Sequence, residues 1–158
     1  MKNLLLYAIT SGLHDLAATI WIGAVLTNAL VLTPTFKKPM EDEKLKKQLM
    51  MRVQRKLASL IPLSIVVVVI TGVILARSSP AFHGFFPLTN TYSTILTAKA
   101  VLTAAMVMTM MIRQATIKSL QSGKPSIKVE KASTALVYLN ALIGVVVIML
   151  SGALSVIA

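Results

Sequence analysis

Long apolar runs alternate with polar, lysine-rich stretches along the chain, and four of the runs stand out: residues 4–33, 57–76, 93–112 and 133–157. Each reaches the roughly 20 helical residues that cross a bilayer core. In lipid a helix satisfies its own backbone hydrogen bonds, which an open strand cannot do. The pattern therefore predicts an all-α fold, an integral membrane four-helix bundle forming a single domain over residues 1–158. The first run exceeds the span, so it must tilt or stand partly outside the hydrocarbon. No small-x-small cleavage site follows it, and it reads as a retained helix. Between the runs lie connections at 34–56 and 113–132. Within the first, residues 39–49 (PMEDEKLKKQL) read as a short amphipathic helix with acids at its start and bases toward its end. Residues 78–91 hold two prolines and a glycine, which predicts turns.

Composition agrees with the pattern. The 158 residues are 56% hydrophobic and 13% charged, with a mean hydropathy of +0.79, proportions that exclude a disordered chain. With no cysteine, disulfides, iron–sulfur clusters, zinc–thiolate sites and thioether-attached haem are excluded. The net charge of +11 would suggest nucleic acid in a soluble protein, but its placement gives a different meaning. Lys37, Lys38, Lys44, Lys46, Lys47, Arg52, Arg55 and Lys56 fall in the first connection, and Arg113, Lys118, Lys124, Lys128 and Lys131 in the third. The opposite side has only Lys2 and Arg77. By the positive-inside rule the 34–56 and 113–132 connections are cytoplasmic, with both termini outside, in the cytoplasmic membrane. No aromatic residues interleave with the basic clusters as a nucleic-acid stacking platform requires, so no nucleic-acid partner is expected. Tyr7, Phe82, Phe85, Phe86 and Tyr92 are expected at the outer headgroup level and Tyr138 at the inner one.

Ionisable groups at membrane depth carry a free-energy cost unless they face the interior with a partner. Three qualify: His14, Asp15 and Lys99. Counting along the spans puts all three in the outer layer. His14, Trp21 and Asn28 recur every seven residues and form one helical stripe, flanked by Ala17, Ala18 and Gly23. Lys99, Thr103, Met106 and Met110 share a face of the third span, and Thr71 and Gly72 sit late in the second. A cavity walled by His14, Trp21, Gly72 and Lys99 is expected. An imidazole and a neutral amine are both nitrogen ligands, and burial favours the neutral amine. His14 and Lys99 are thus candidate axial ligands of a haem held among the helices, with Arg77 placed to neutralise a propionate. His83 and Met106 compete for the second ligand position. The bland alternative makes Asp15 and Lys99 a structural ion pair, the methionines packing, and Asn28 and Asn140 interhelical hydrogen-bonding glue.

The residues LHDLAATIWIGAVL, with Leu13-His14, Trp21 and Gly23, the Arg52–Arg55 approach to Thr71-Gly72, and TYSTILTAKAVL with Tyr92 and Lys99, resemble the CopD-like superfamily of four-helix membrane proteins. The resemblance covers roughly the first three spans. It implies a four-helix fold and either copper transport, as in copper-resistance CopD proteins, or haem b bound through the first-span histidine and third-span lysine, as in the HemJ type of protoporphyrinogen oxidase. That type has a tryptophan–leucine–histidine run before its lysine where this chain has Leu96-Thr97-Ala98, which argues against protoporphyrinogen oxidation.

The leading expectation is a haem b cytochrome with His14 and Lys99 as axial ligands, Met106 an alternative second ligand, Trp21 and Gly72 shaping the pocket and Arg77 at a propionate. A lipid-soluble quinol would exchange electrons with it, its protons taken by His83 or Asp15. The alternatives are copper transport through His14, His83, Met106 and Met110, since soft thioethers suit Cu(I), and a non-catalytic assembly subunit. Expected partners are the bilayer, the quinol, an electron-transfer protein and a further copy of the chain.

Overall fold

The structure, a computed structural model, describes residues 2–39, 41–80, 82, 84, 90–122 and 127–157. Every regular element among them is helical: α1 (Lys2–Thr27), a π-helical turn (Asn28–Leu32), α2 (Thr33–Lys37), α3 (Glu43–Ser78), α4 (Thr91–Ser122) and α5 (Ile127–Ile157). Four stretches are long and apolar enough to cross a bilayer: Leu4–Lys37, Glu43–Ser78, Thr91–Ala115 and Lys131–Ile157. Large apolar side chains stand exposed on each of them, among them Leu16, Ile70, Val101 and Leu142, the last 63% exposed. Water tolerates no such apolar surface on this scale, whereas lipid tails do. The chain is a multi-pass membrane protein.

The helices extend further than the apolar runs. The amphipathic stretch expected as a separate helix at 39–49 is instead the start of α3, which runs unbroken from Glu43 to Ser78. Asp42 caps it, its side chain accepting from the Leu45 amide at 2.9 Å. Residues 44–60 contain no glycine or proline, so nothing stops the helix between its basic and apolar parts. Likewise α4 continues past Arg113 to Ser122, making the first half of the expected 113–132 connection helical. The first span also runs on, through the π turn, to Lys37. Pro34 follows two residues after the turn and gives a physical reason for it, although α3 holds Pro62 as regular α-helix. Pro34 has no N–H, and its ring would clash with the Leu30 carbonyl in a regular α-helix. Widening by one residue, with the Thr33 amide bonded to the Asn28 carbonyl, relieves that clash. Gly84 has a φ of 122°, a conformation glycine adopts without strain, in keeping with the turns expected at 78–91.

The chain divides into two compact units, Met1–Pro80 and Ala81–Ala158. In the first, α1 packs antiparallel to α3. Three levels show this: His14 meets Thr71, and toward the start of α1 the residues Thr10 and Tyr7 share a cavity with Leu75 and Ser78. The buried positions of α1, Thr10, Ala17, Trp21, Ile22 and Val25, follow the helical repeat and form its packing stripe. In the second unit α4 packs along α5. Asn90 caps α4 by accepting from the Ser93 amide at 2.7 Å, and Val137, Asn140, Ala141, Gly144 and Val147 form the buried stripe of α5.

Candidate functional site

Hydroxyls in these apolar helices are satisfied locally. Thr10, Ser64, Thr71 and Ser78 donate to the carbonyls of Leu6, Leu60, Val67 and Ile74, four residues earlier, at 2.8, 3.0, 2.6 and 2.8 Å. A hydroxyl has one proton to give, so each of these oxygens faces its surroundings as an acceptor. At Thr71 this has a chemical consequence. Its Oγ1 lies 3.0 Å from His14 Nδ1; when the hydroxyl donates to the Val67 carbonyl 2.6 Å away, the ring nitrogen is the donor of the pair. In that arrangement the neutral imidazole is the Nδ1–H tautomer, and Nε2 is its basic nitrogen. This is the arrangement by which proteins orient a metal-ligating histidine, through a hydrogen bond from the other ring nitrogen.

Gly72 supplies the space. A Cβ at that position would stand 3.2 Å from His14 Cε1 and 3.7 Å from Nδ1, so the half-buried ring lies close against the α3 backbone. Two turns further along the α1 stripe, Trp21 is 2% exposed and its Nε1 has no hydrogen-bond partner in the protein. An indole N–H is a donor only, and leaving it unmet in a dry interior costs about 1–3 kcal/mol. The same face of α1 thus carries an oriented imidazole and an unmet donor.

The structure brings together His14, Thr71 and Gly72, and keeps Trp21 on the same face. Asp15 is exposed, its backbone carbonyl accepting from Thr19. Arg77 is exposed in the last turn of α3. In the second unit Lys99 is half-buried, Met106 fully buried, and Met108 and Met111 exposed, so the methionines divide between packing and lipid. Asn140 is buried with its Oδ1 unpartnered. Tyr92, expected at the headgroup level, is buried, while Tyr7 and Tyr138 are exposed. His83, Phe85 and Phe86 lie outside the described residues. Among the described residues no three His, Asp or Glu side chains cluster as a metal cage.

Three contributors were not foreseen: Thr71 as the partner of His14, and Thr10 and Ser78 as polar walls of a cavity of about 370 Å³ beside it. The spacing of Tyr7, Thr10 and His14 on one helical face was the available signal.

No protein-family model, no curated protein and no solved structure matches this chain.

Proposed function

We propose that the chain is a haem b-binding four-helix protein of the cytoplasmic membrane, with both termini outside, that exchanges electrons with a lipid-soluble quinol. The likeness to the CopD-like superfamily is part of the same reading. The observation that supports it is the His14–Thr71 hydrogen bond, which orients the imidazole through Nδ1; Nε2 is the proposed ligating atom. The unmet Trp21 donor on the same helical face supports it, because a bound group with an acceptor would remove that cost. The residues fit haem in donor chemistry: an oriented imidazole beside a side-chain-free backbone at Gly72, with no thiolate required. When bound, haem b supplies a one-electron redox centre.

This chain's own residues do the rest. Thr71 fixes the ring, Gly72 leaves room for it, and Trp21 walls the apolar side. Lys99 is the proposed second ligand on residue chemistry, Met106 the alternative, and Arg77 the counter-charge to a propionate. Asp15 and His83 are the proposed acceptors of the quinol protons.

An absorbance spectrum of the detergent-purified chain, with pyridine haemochrome and metal analysis, tests this. Iron near one equivalent and a Soret band lost in His14→Ala and in Lys99→Ala are expected. Copper without iron would replace this reading with metal transport. A colourless, metal-free protein would leave an assembly subunit.

A further inference from the structure

One turn from the His14–Thr71 pair, toward the start of α1 and the end of α3, the first unit contains a cavity of about 370 Å³ lined by Leu6, Tyr7, Thr10, Ile74, Leu75 and Ser78. Its volume lies within the range of small-molecule sites. Its apolar walls are leucine and isoleucine. Its polar walls are three hydroxyls, and two of them have their protons committed: Thr10 Oγ1 donates to the Leu6 carbonyl and Ser78 Oγ to the Ile74 carbonyl, both at 2.8 Å. Thr10 is buried, at 8% exposed, while Leu6, Tyr7, Ile74 and Ser78 are exposed, so the cavity is open at the surface of the helix pair. With those two protons committed, it offers two hydrogen-bond acceptors from opposite helices, and a single side chain, Tyr7, able to donate.

The geometry points to a binding site for a flat, apolar ring that carries hydroxyl groups, a hydroquinone, in preference to the corresponding quinone. A quinol has two O–H donors to give to Thr10 and Ser78. A quinone has two carbonyl acceptors, of which only one finds a donor, at Tyr7, and the other would face an acceptor oxygen. Discrimination of this kind, by leaving polar groups unpaired, is stronger than discrimination by apolar fit. The choice of a quinol among hydroxyl-bearing rings rests on the electron exchange proposed above. The preference for donors over acceptors rests on the two committed protons alone.

The test uses the full chain in nanodiscs under anaerobic conditions, titrated calorimetrically with a decyl-substituted benzoquinol and with its quinone. Empty nanodiscs give the partition baseline, and the absorbance spectrum of each sample gives its haem content. The quinol is expected to bind at least about tenfold more tightly than the quinone, for two satisfied bonds against one. Thr10→Val and Ser78→Ala are each expected to weaken the quinol about fivefold and to leave the quinone within about twofold. Thr10→Ser, which keeps the acceptor, is expected to behave as the parent and guards against a misfolded Thr10→Val. Equal binding of quinol and quinone would overturn the assignment. So would an unchanged quinol affinity in folded Ser78→Ala, or uptake no greater than that of empty nanodiscs, which would mean that lipid fills the cavity. A colourless sample that still prefers the quinol would sustain this site and remove the haem reading. A haem-loaded sample indifferent to the quinol would do the reverse.

Discussion

A single proton determines what His14 can do. The Thr71 hydroxyl bonds the Val67 carbonyl at 2.6 Å and can only accept from the imidazole 3.0 Å away, so removing that acceptor should disturb both the ring's orientation and its basicity. In Thr71→Val, Nδ1–H loses its partner in an apolar seam, a cost of about 1–3 kcal/mol. Loss of such an outer-shell bond weakens metal affinity by about tenfold to a hundredfold. If haem is bound as proposed, Thr71→Val should release it on dilution where Thr71→Ser retains it, a difference read from the Soret absorbance. Gly72→Ala sets two effects against each other. Alanine stabilises a helix interior by about 1 kcal/mol relative to glycine, but its Cβ would press on His14 Cε1 at 3.2 Å. Overpacking costs about 1–3 kcal/mol, so the net change should be a loss. A lower midpoint of thermal unfolding together with a shifted His14 ring resonance is the expected outcome. An unchanged ring signal would mean that the imidazole does not depend on Gly72. Trp21→Phe separates a ligand role from packing. Without a bound acceptor the unmet Nε1–H is a liability, so this variant should stabilise the haem-free protein. With one, it should weaken the loaded form.

The number and the apolar centres of the helices were legible from the runs, because about 20 consecutive apolar residues have few alternatives in a chain this greasy. Their ends were not. At residues 39–49 the change from polar to apolar was read as a boundary between two helices, but a change in polarity is a change of solvent, not of backbone preference. The boundary that counts is the N-cap Asp42, from which α3 runs on through the change of polarity and past Pro62 and Gly72. The π turn had a visible cause in Pro34, but where the helix takes up the extra residue depends on local packing, which the pattern does not encode. The site was legible in part for a related reason. Spacing placed His14 and Trp21 on one face of α1, and Gly72 was expected in the wall of the same cavity. The pairing with Thr71 required the antiparallel register of α1 on α3, which a single sequence does not fix. Two experiments act at this scale. Asp42→Ala removes the cap and should cost about 1 kcal/mol, localised to the first turn of α3 and visible as faster exchange of the Leu45 amide. Pro34→Ala removes the reason for the π turn. The segment should then relax to a regular α-helix, with a bond from residue 34 to the Leu30 carbonyl seen as new amide protection, and Asn28 rotated relative to Trp21.

At the scale of the whole molecule the charge distribution makes the boldest claim. Thirteen lysines and arginines lie in the two connections proposed as cytoplasmic, against two on the other side. Long α3 and α4 carry part of that charge on helix continuous with the spans. A bias this large sets orientation during insertion. On the proposed topology the His14–Thr71 pair, toward the start of α1 and the end of α3, lies in the outer half of the bilayer, along with the neighbouring cavity. The chain has no cysteine, so a single introduced thiol reports its side without interference. Gln48 and Thr91 are both exposed, one in the basic stretch of α3 and one at the start of α4. In intact cells treated with a membrane-impermeant maleimide, Thr91→Cys should label at once and Gln48→Cys only after the membrane is permeabilised. The opposite result would turn the molecule over. The imidazole and the cavity would then serve a cytoplasmic donor, protons from an oxidised quinol would be released inward, and Arg77 would meet its counter-charge at the inner headgroups. Orientation is thus the one global property on which the direction of any electron or proton traffic depends, and it can be measured without knowing what the protein binds.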